Sequence, residues 1–244
     1  MRVPHIYQSS PIALNTPLNL DDDAAGHIGR VLRMKVGEQV SIFNGEGGEF
    51  LSEIIELSKK SVVVMPLEFN PHDVESPLKI HLGQCVSRGD KMDFTIQKSV
   101  ELGITEITPI FSQRCGVKLS GDRLEKKHQQ WQKIAIAAAE QSGRNFVPKI
   151  HSPVDLKTWL EQQTAAIKLT LHPRAEHSIK TITVPDDGVR FLVGPEGGFT
   201  DDEIAQTKQQ EFVDIRLGPR VLRTETAALT VLSALQLQFG DLAN

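Results

Sequence analysis

The chain has 244 residues, 39% of them hydrophobic and 24% charged, and a net charge of −4. That is room for one large domain, or a small one plus a medium one, of ordinary globular composition. No apolar run approaches the ~20 residues of a membrane span, the opening MRVPHIYQSS lacks the apolar core of a signal peptide, and no overall basic field announces a nucleic-acid partner.

The first 70 or so residues read as short strands and turns. One short helix is expected at 22–34, where Ile28, Val31 and Leu32 follow helical spacing. The stretch 38–57 holds two β-rich runs around Asn44-Gly45-Glu46-Gly47-Gly48, a hairpin signal. A further strand follows at 61–69, and together these predict a small β-barrel. Residues 70–77, NPHDVESP, read as a linker, which places the domain boundary between 1–72 and 73–244. The split isolates no basic half: residues 1–72 carry six basic against nine acidic side chains, and the remainder 21 against 22.

Beyond the linker, strands alternate with helices. Strands are expected at 78–86, 106–111, 167–172, 189–194 and 213–218. Helices are expected at 90–103, with Met92, Ile96 and Val100 on one face and Gly103 as its stop, then at 122–143, 154–163, from about 201, and at 224–239. This alternation predicts an α/β domain with a mostly parallel sheet covered by helices. Cys85 and Cys115 are the only cysteines and form no CxxC. They read as reduced thiols of a cytoplasmic protein, and no metal site is expected.

Three strand ends have unusual loops: Leu171-His172-Pro173, Gly194-Pro195-Glu196-Gly197-Gly198, and 217–223, LGPRVLR. In open α/β sheets, ligands sit outside the carboxyl ends of the strands. Glycine lets backbone approach a ligand closely, so such loops suit a ligand read by backbone N–H and C=O groups. Part of the second loop has a purely structural use, because Thr200 and Glu203 form a capping box for the next helix. There is no GxGxxG after the first α/β strand, no GxxxxGK[ST] and no HExxH, which disfavours an ordinary dehydrogenase or a P-loop enzyme. Arg220 and Arg223 precede the last helix, where cations oppose the helix dipole, so an anion or electron-rich ligand is expected nearby, or else Glu225 pairs with one of them. Glu140, Gln141, Ser142 and Arg144 form a polar cluster after an alanine-rich helix face that suits close packing, including across a dimer. His27, Arg30, Arg33 and Lys35 are the one compact basic group of the first domain. They read either as dipole complements to Asp21, Asp22 and Asp23 or as phosphate contacts.

At LVGPEGGFT and LGPRVLRTETA the chain resembles the SPOUT superfamily of S-adenosylmethionine-dependent methyltransferases. More narrowly it resembles the bacterial 16S ribosomal RNA uridine-N3 methyltransferases. RVPHIY, HIGRVLRMKVGE, KMDFTIQKSVELG and AAAEQSGR fit in order and spacing, so the resemblance spans essentially the whole chain. It implies a PUA-like, RNA-binding barrel at 1–72 and a SPOUT α/β domain tied in a deep trefoil knot at 73–244. It further implies a homodimer and a target uridine in the small ribosomal subunit; no membrane or metal is expected. Leu171 and His172 would lie in the first knot loop. Gly194, Pro195, Glu196 and Gly197 would flank the cofactor, and Leu217, Gly218 and Leu222 would line the adenine pocket. Arg220, Arg223, Glu225 and the partner's Arg144 are the catalytic candidates, with His27, Arg30, Arg33 and Lys35 on the RNA.

Overall fold

The computed structural model describes residues 3–58, 60–172 and 175–243. Arg2 of the opening motif and Pro173 of the first loop lie outside the described residues. The chain forms two compact units, one of residues 1–75 with 139–147, the other of 76–138 with 148–244. The first therefore ends three residues past the expected boundary and also recruits the end of a long helix.

In the first unit, β1 (His5–Tyr7), β2 (Leu18–Asn19), β3 (Gln39–Phe43), β4 (Glu49–Leu57) and β5 (Val62–Asn70) make a five-stranded sheet in the order β1-β3-β4-β5-β2. The expected hairpin is β3–β4, turning through Gly45, Gly47 and Gly48, all at positive φ. Register shifts between Leu51 and Ser52 and between Ile54 and Glu56 interrupt the β4–β5 ladder, and such irregularities bend and twist strands. Alternate residues Val40, Ile42, Ile54, Val62 and Val64 face the core together with Ile6 and Ile28. Residues 139–147 belong here because Arg144 donates to Glu75 at 3.0 Å, Asn145 to the His72 carbonyl at 2.6 Å, and Glu140 accepts from the Tyr7 amide at 3.0 Å.

The first helix departs from the expectation. Asp21 caps α1 (Asp22–Gly26) by accepting from the Ala24 amide, after which residues His27–Leu32 wind as a π-helix ending at Arg33 in the left-handed region. Wider winding swings residues off a 3.6-residue stripe. Ile28 is buried, but Val31 is 69% and Leu32 40% exposed, so the predicted apolar face does not exist.

The second unit carries seven strands: β6 (Ile80–Cys85), β7 (Glu106–Phe111), β8 (Lys149–Ile150), β9 (Val154–Asp155), β10 (Ile167–Leu171), β11 (Val189–Val193) and β12 (Val213–Ile215). Their order is β12-β10-β11-β6-β7-β8, with β9 also on β7, and every pairing is parallel. Helices α2 (Lys91–Glu101), α3 (Gly121–Ser142), α4 (Leu156–Glu161), α5 (Asp201–Gln209) and α6 (Thr224–Phe239) connect them. All five residues of β11 are buried, as a strand covered on both faces requires. Met92, Ile96 and Val100 are buried on one face of α2, and Gly103 beyond it takes φ +81°. Val154 and Asp155 were expected inside a helix, but they pair with β7, and Asp155 caps α4 through the Thr158 amide.

A tryptophan organises the core beneath α4. A Cβ on Gly83 would stand 2.6 Å from the Trp159 ring, so only glycine admits that ring against β6. Arg190 lays its guanidinium 3.9 Å from the centroid of the same ring and donates to the Trp159 and Gln162 carbonyls. Burial pulls the Arg190 pKa down to about 10, which leaves it cationic. Beside it, burial above all pushes the His81 imidazole down to about 4, with Arg190 and His151 adding to the effect and Glu106 opposing it.

Candidate active site

Because β10, β11 and β12 are parallel neighbours, with Thr170 opposite both Leu192 and Asp214, the three unusual loops leave the sheet at one edge. There they enclose a cavity of about 670 Å³, within the range of small-molecule sites. Leu171, His172, Gly194, Pro195, Glu196, Leu217, Gly218 and Leu222 line it, as do Arg220 and Arg223. Gly218 takes φ +67° with nothing within 4 Å of where its Cβ would stand, while a Cβ on Gly194 would press on the Phe199 ring at 3.0 Å. Gly218 thus leaves bare backbone with open space in front of it, whereas Gly194 makes room for the Phe199 ring.

Hydrogen bonds hold these loops in place. The buried Thr224 hydroxyl donates to the Gly194 carbonyl at 2.8 Å and accepts from the Gln84 amide at 2.9 Å. That ties the start of α6 to the ends of β11 and β6. Thr200 and Glu203 form the expected capping box of α5, and Glu203 also accepts from the Gln113 amide at 2.8 Å. Arg114 donates to the Gly197 and Phe199 carbonyls, each at 3.2 Å. Gly197 itself is not in the cavity wall; its Cβ position lies 3.1 Å from Arg114 Cβ, and its contribution is to let Arg114 approach.

Glu196 is the carboxylate of the second loop, and Lys91 stands 3.1 Å from it. Burial alone would raise the Glu196 pKa, but the Lys91 ammonium and nearby backbone N–H groups outweigh burial and hold it below the ordinary carboxylate value. Lys91 lines the cavity and was not anticipated. The signal was available: Lys91 follows the carboxyl end of β6, on the same edge as the three loops, as Arg114 follows that of β7. Asp214, in β12 itself, is a further lining residue that the loop-based reading passed over.

Two catalytic candidates are placed elsewhere. Arg144 is buried in the first unit with its guanidinium on Glu75, so a role at a partner's site would require breaking that pair. Glu225 lies in the first turn of α6 outside the cavity wall. Its Oε2 is buried without a hydrogen-bond partner among the described residues, so the expected pairing with Arg220 or Arg223 does not satisfy that atom. In the first unit, Arg30, Arg33 and Lys35 are exposed, and His27 Nδ1 lies 3.3 Å from Glu140.

Residues 74–236 match the family model of an RNA methyltransferase domain, and residues 20–66 that of an RNA methyltransferase PUA domain. The class is therefore that of an RNA methyltransferase. The ribosomal RNA small subunit methyltransferase E of Buchnera aphidicola is 39% identical, over 98% of this chain and 95% of that protein. The protein of that name from Bacillus subtilis is 34% identical, over 87% of this chain and 86% of its own length. Among solved structures, the Neisseria gonorrhoeae ribosomal RNA small subunit methyltransferase E bound to S-adenosylmethionine superimposes with a TM-score of 0.92 at 37% identity, covering 99% of this chain and all of that one. A Legionella pneumophila protein in complex with bound S-adenosylmethionine gives 0.95 at 43%, with the same coverage. The chain belongs to the family of ribosomal RNA small subunit methyltransferases E.

Proposed function

We propose that this chain methylates N3 of a specific uridine in 16S ribosomal RNA of the small subunit, using S-adenosylmethionine. The observation that carries the reading is the backbone-walled cavity at the ends of β10, β11 and β12, rimmed by cations. The relatives' names supply the ribosomal RNA, two neighbours supply the bound cofactor, and the resemblance at LGPRVLRTETA supplies the uridine and its N3.

The residues present fit that cofactor. Gly218 leaves room for its adenosyl part against bare backbone, and Leu171, Leu217 and Leu222 offer apolar walls for adenine. When bound, S-adenosylmethionine supplies an electrophilic methyl on a sulfonium. Glu196 gives the cavity a carboxylate for a ribose hydroxyl or the sulfonium, although Lys91 already offsets its charge.

Uracil N3 carries a proton at neutral pH, so attack requires its removal or stabilisation of the anion as it forms. Arg220 and Arg223 are the donors we place on O2 or O4, where preorganised cations act on developing charge. Glu225, next to the lining residues Arg223 and Thr224 and with one carboxylate oxygen unpartnered among the described residues, is the candidate base and must turn into the cavity to act. Arg144 is left out, because Glu75 already binds it. The target nitrogen lies on the Watson–Crick edge, so the base must be unpaired or turned out of its stack. The PUA-like unit, with Arg30, Arg33, Lys35 and His27, then serves to grip the RNA.

Three further features belong to this proposal: a deep trefoil knot formed by the loops that wall the cavity, action as a homodimer, and a cytoplasmic location with the ribosomal substrate. Among the described residues no helix is long and apolar enough to cross a membrane. Glu225→Gln is the first test of the base: it should abolish most methyl transfer and leave cofactor binding intact. Full activity in that variant removes Glu225 from the mechanism.

A further inference from the structure

The opposite end of the seven-stranded sheet carries a second cluster that methyl transfer does not use. His81 lies near the start of β6, Glu106 begins β7, and His151 follows β8 directly. Parallel register sets His81 opposite Glu106, and Glu106 opposite Lys149. Three strands thus deliver three side chains to one spot, and one ligand atom from each lies within 4.8 Å of the others. His151 Nε2 is 2.5 Å from Glu106 Oε2, and the two imidazole centroids are 5.2 Å apart.

We propose that His81, Glu106 and His151 form a binding site for one divalent transition-metal ion of the zinc type. Two imidazoles and a carboxylate are the donors such ions take, whereas magnesium and calcium prefer oxygen alone. His81 is the anchored ligand. Its Nε2 is 2.8 Å from the Thr108 hydroxyl, and its ring stands edge-on to Trp159 at 5.8 Å. An outer partner of this kind orients a ligating imidazole and here leaves Nδ1 for the ion. The His151 and Glu106 side chains are 29% and 43% exposed, which gives an ion access from solvent and leaves a fourth position for water.

Binding requires a small rearrangement. Bonds of ~2.1 Å in a tetrahedral site set ligand atoms about 3.4 Å apart, so the 2.5 Å contact between His151 and Glu106 opens to admit the ion while both side chains, on the exposed side, close toward His81. The Arg190 cation acts on the same cluster, and the Glu106 carboxylate offsets it. Affinity is therefore expected to fall below that of all-cysteine structural sites. Because the cavity opens at the other end of the strands, the ion plays no part in methyl transfer.

The test is calorimetric titration of the full chain with zinc chloride after dialysis against a chelator, repeated with cobalt(II) to read the visible spectrum of the bound ion. The expected result is one ion per chain, cobalt bands of a four-coordinate nitrogen and oxygen site, and binding weakened at least about tenfold in both His151→Ala and Glu106→Gln. Both substitutions fall on partly exposed side chains, so the fold is retained. Cys115→Ser should leave the titration unchanged. Absence of saturable binding, or binding that survives both cluster variants, overturns the site; so does binding lost only in Cys115→Ser, which would assign the ion to the thiols.

Discussion

The carboxyl edge of the seven-stranded sheet and the basic turn of the first unit offer two different ways of meeting a ligand. The edge is made of backbone. Gly218 leaves open space, Gly194 admits the Phe199 ring, Thr224 and Arg114 hold carbonyls in place, and the cavity exists before anything enters it. The basic turn is made of side chains, with Arg30, Arg33 and Lys35 standing exposed on and after a π-helical segment. A backbone-built site depends on the shape of every loop that walls it, so single changes should be close to all-or-none. A side-chain-built surface sums separate, screened charges, so its losses should be graded and salt-dependent.

The largest effect should come from displacing a loop that walls the edge. Gly197→Trp forces Arg114 away from the loop and should weaken S-adenosylmethionine binding at least about a hundredfold by calorimetry, since recognition at this loop is geometric. Binding within threefold of wild type would show that the loop is not cofactor-shaped. Next is chemistry without binding: removing both Arg220 and Arg223 as alanines should lower kcat by roughly 10²–10³ with cofactor affinity nearly unchanged. If affinity falls instead, the arginines hold the cofactor and not the uracil anion. Thr224→Val tests the hydrogen bonds behind the wall. It takes the Thr224 donor from the Gly194 carbonyl and one acceptor from the Gln84 amide, which keeps its bond to the Cys85 carbonyl; this costs about 1–3 kcal/mol and should appear as a lower urea midpoint. An unchanged midpoint would mean that water replaces the hydroxyl.

The smallest effect belongs to the basic turn. Arg30→Ala with Arg33→Ala should weaken RNA binding modestly and reduce the magnitude of the salt slope by about 2, near one for each phosphate that is no longer neutralised. An unchanged slope would return these residues to the role of helix-dipole complements. A control on the same edge concerns Cys115. Its hydrogen bond with Cys85 lowers its thiol to about 6 against the opposing effect of burial, and Ser112 adds to the lowering. The thiolate is the nucleophile, so alkylation by iodoacetamide should rise with pH, reach half its maximum near pH 6 and level off above about pH 7. A rate still climbing at pH 8 would show an ordinary thiol.

The same contrast explains what could be read in advance. Gly194–Gly198 and 217–223 were legible because glycine and proline at a strand end are unnecessary for a plain connection. The parallel sheet then sent both loops to one edge. Lys91 and Arg114 were not picked out because each is an ordinary residue of a helix start or a loop, and their meaning comes from strand order. The pairing of Arg144 with Glu75 was not foreseen because nothing in the linker marks Glu75 as its partner 69 positions away. The helix at 22–34 was misread because apolar spacing assumes 3.6 residues per turn, which a π-helical segment breaks. The cluster of His81, Glu106 and His151 left no local motif at all, since parallel register brings its members together from three strands.

The most direct test of the central claim is nucleoside analysis of small ribosomal subunits that lack the modification, after incubation with this protein and S-adenosylmethionine. The account predicts one 3-methyluridine per 16S ribosomal RNA, absent when Gly197→Trp replaces the wild type. A methyl found on a ribose 2′-oxygen or on another base, or none from a folded protein that binds the cofactor, would contradict it.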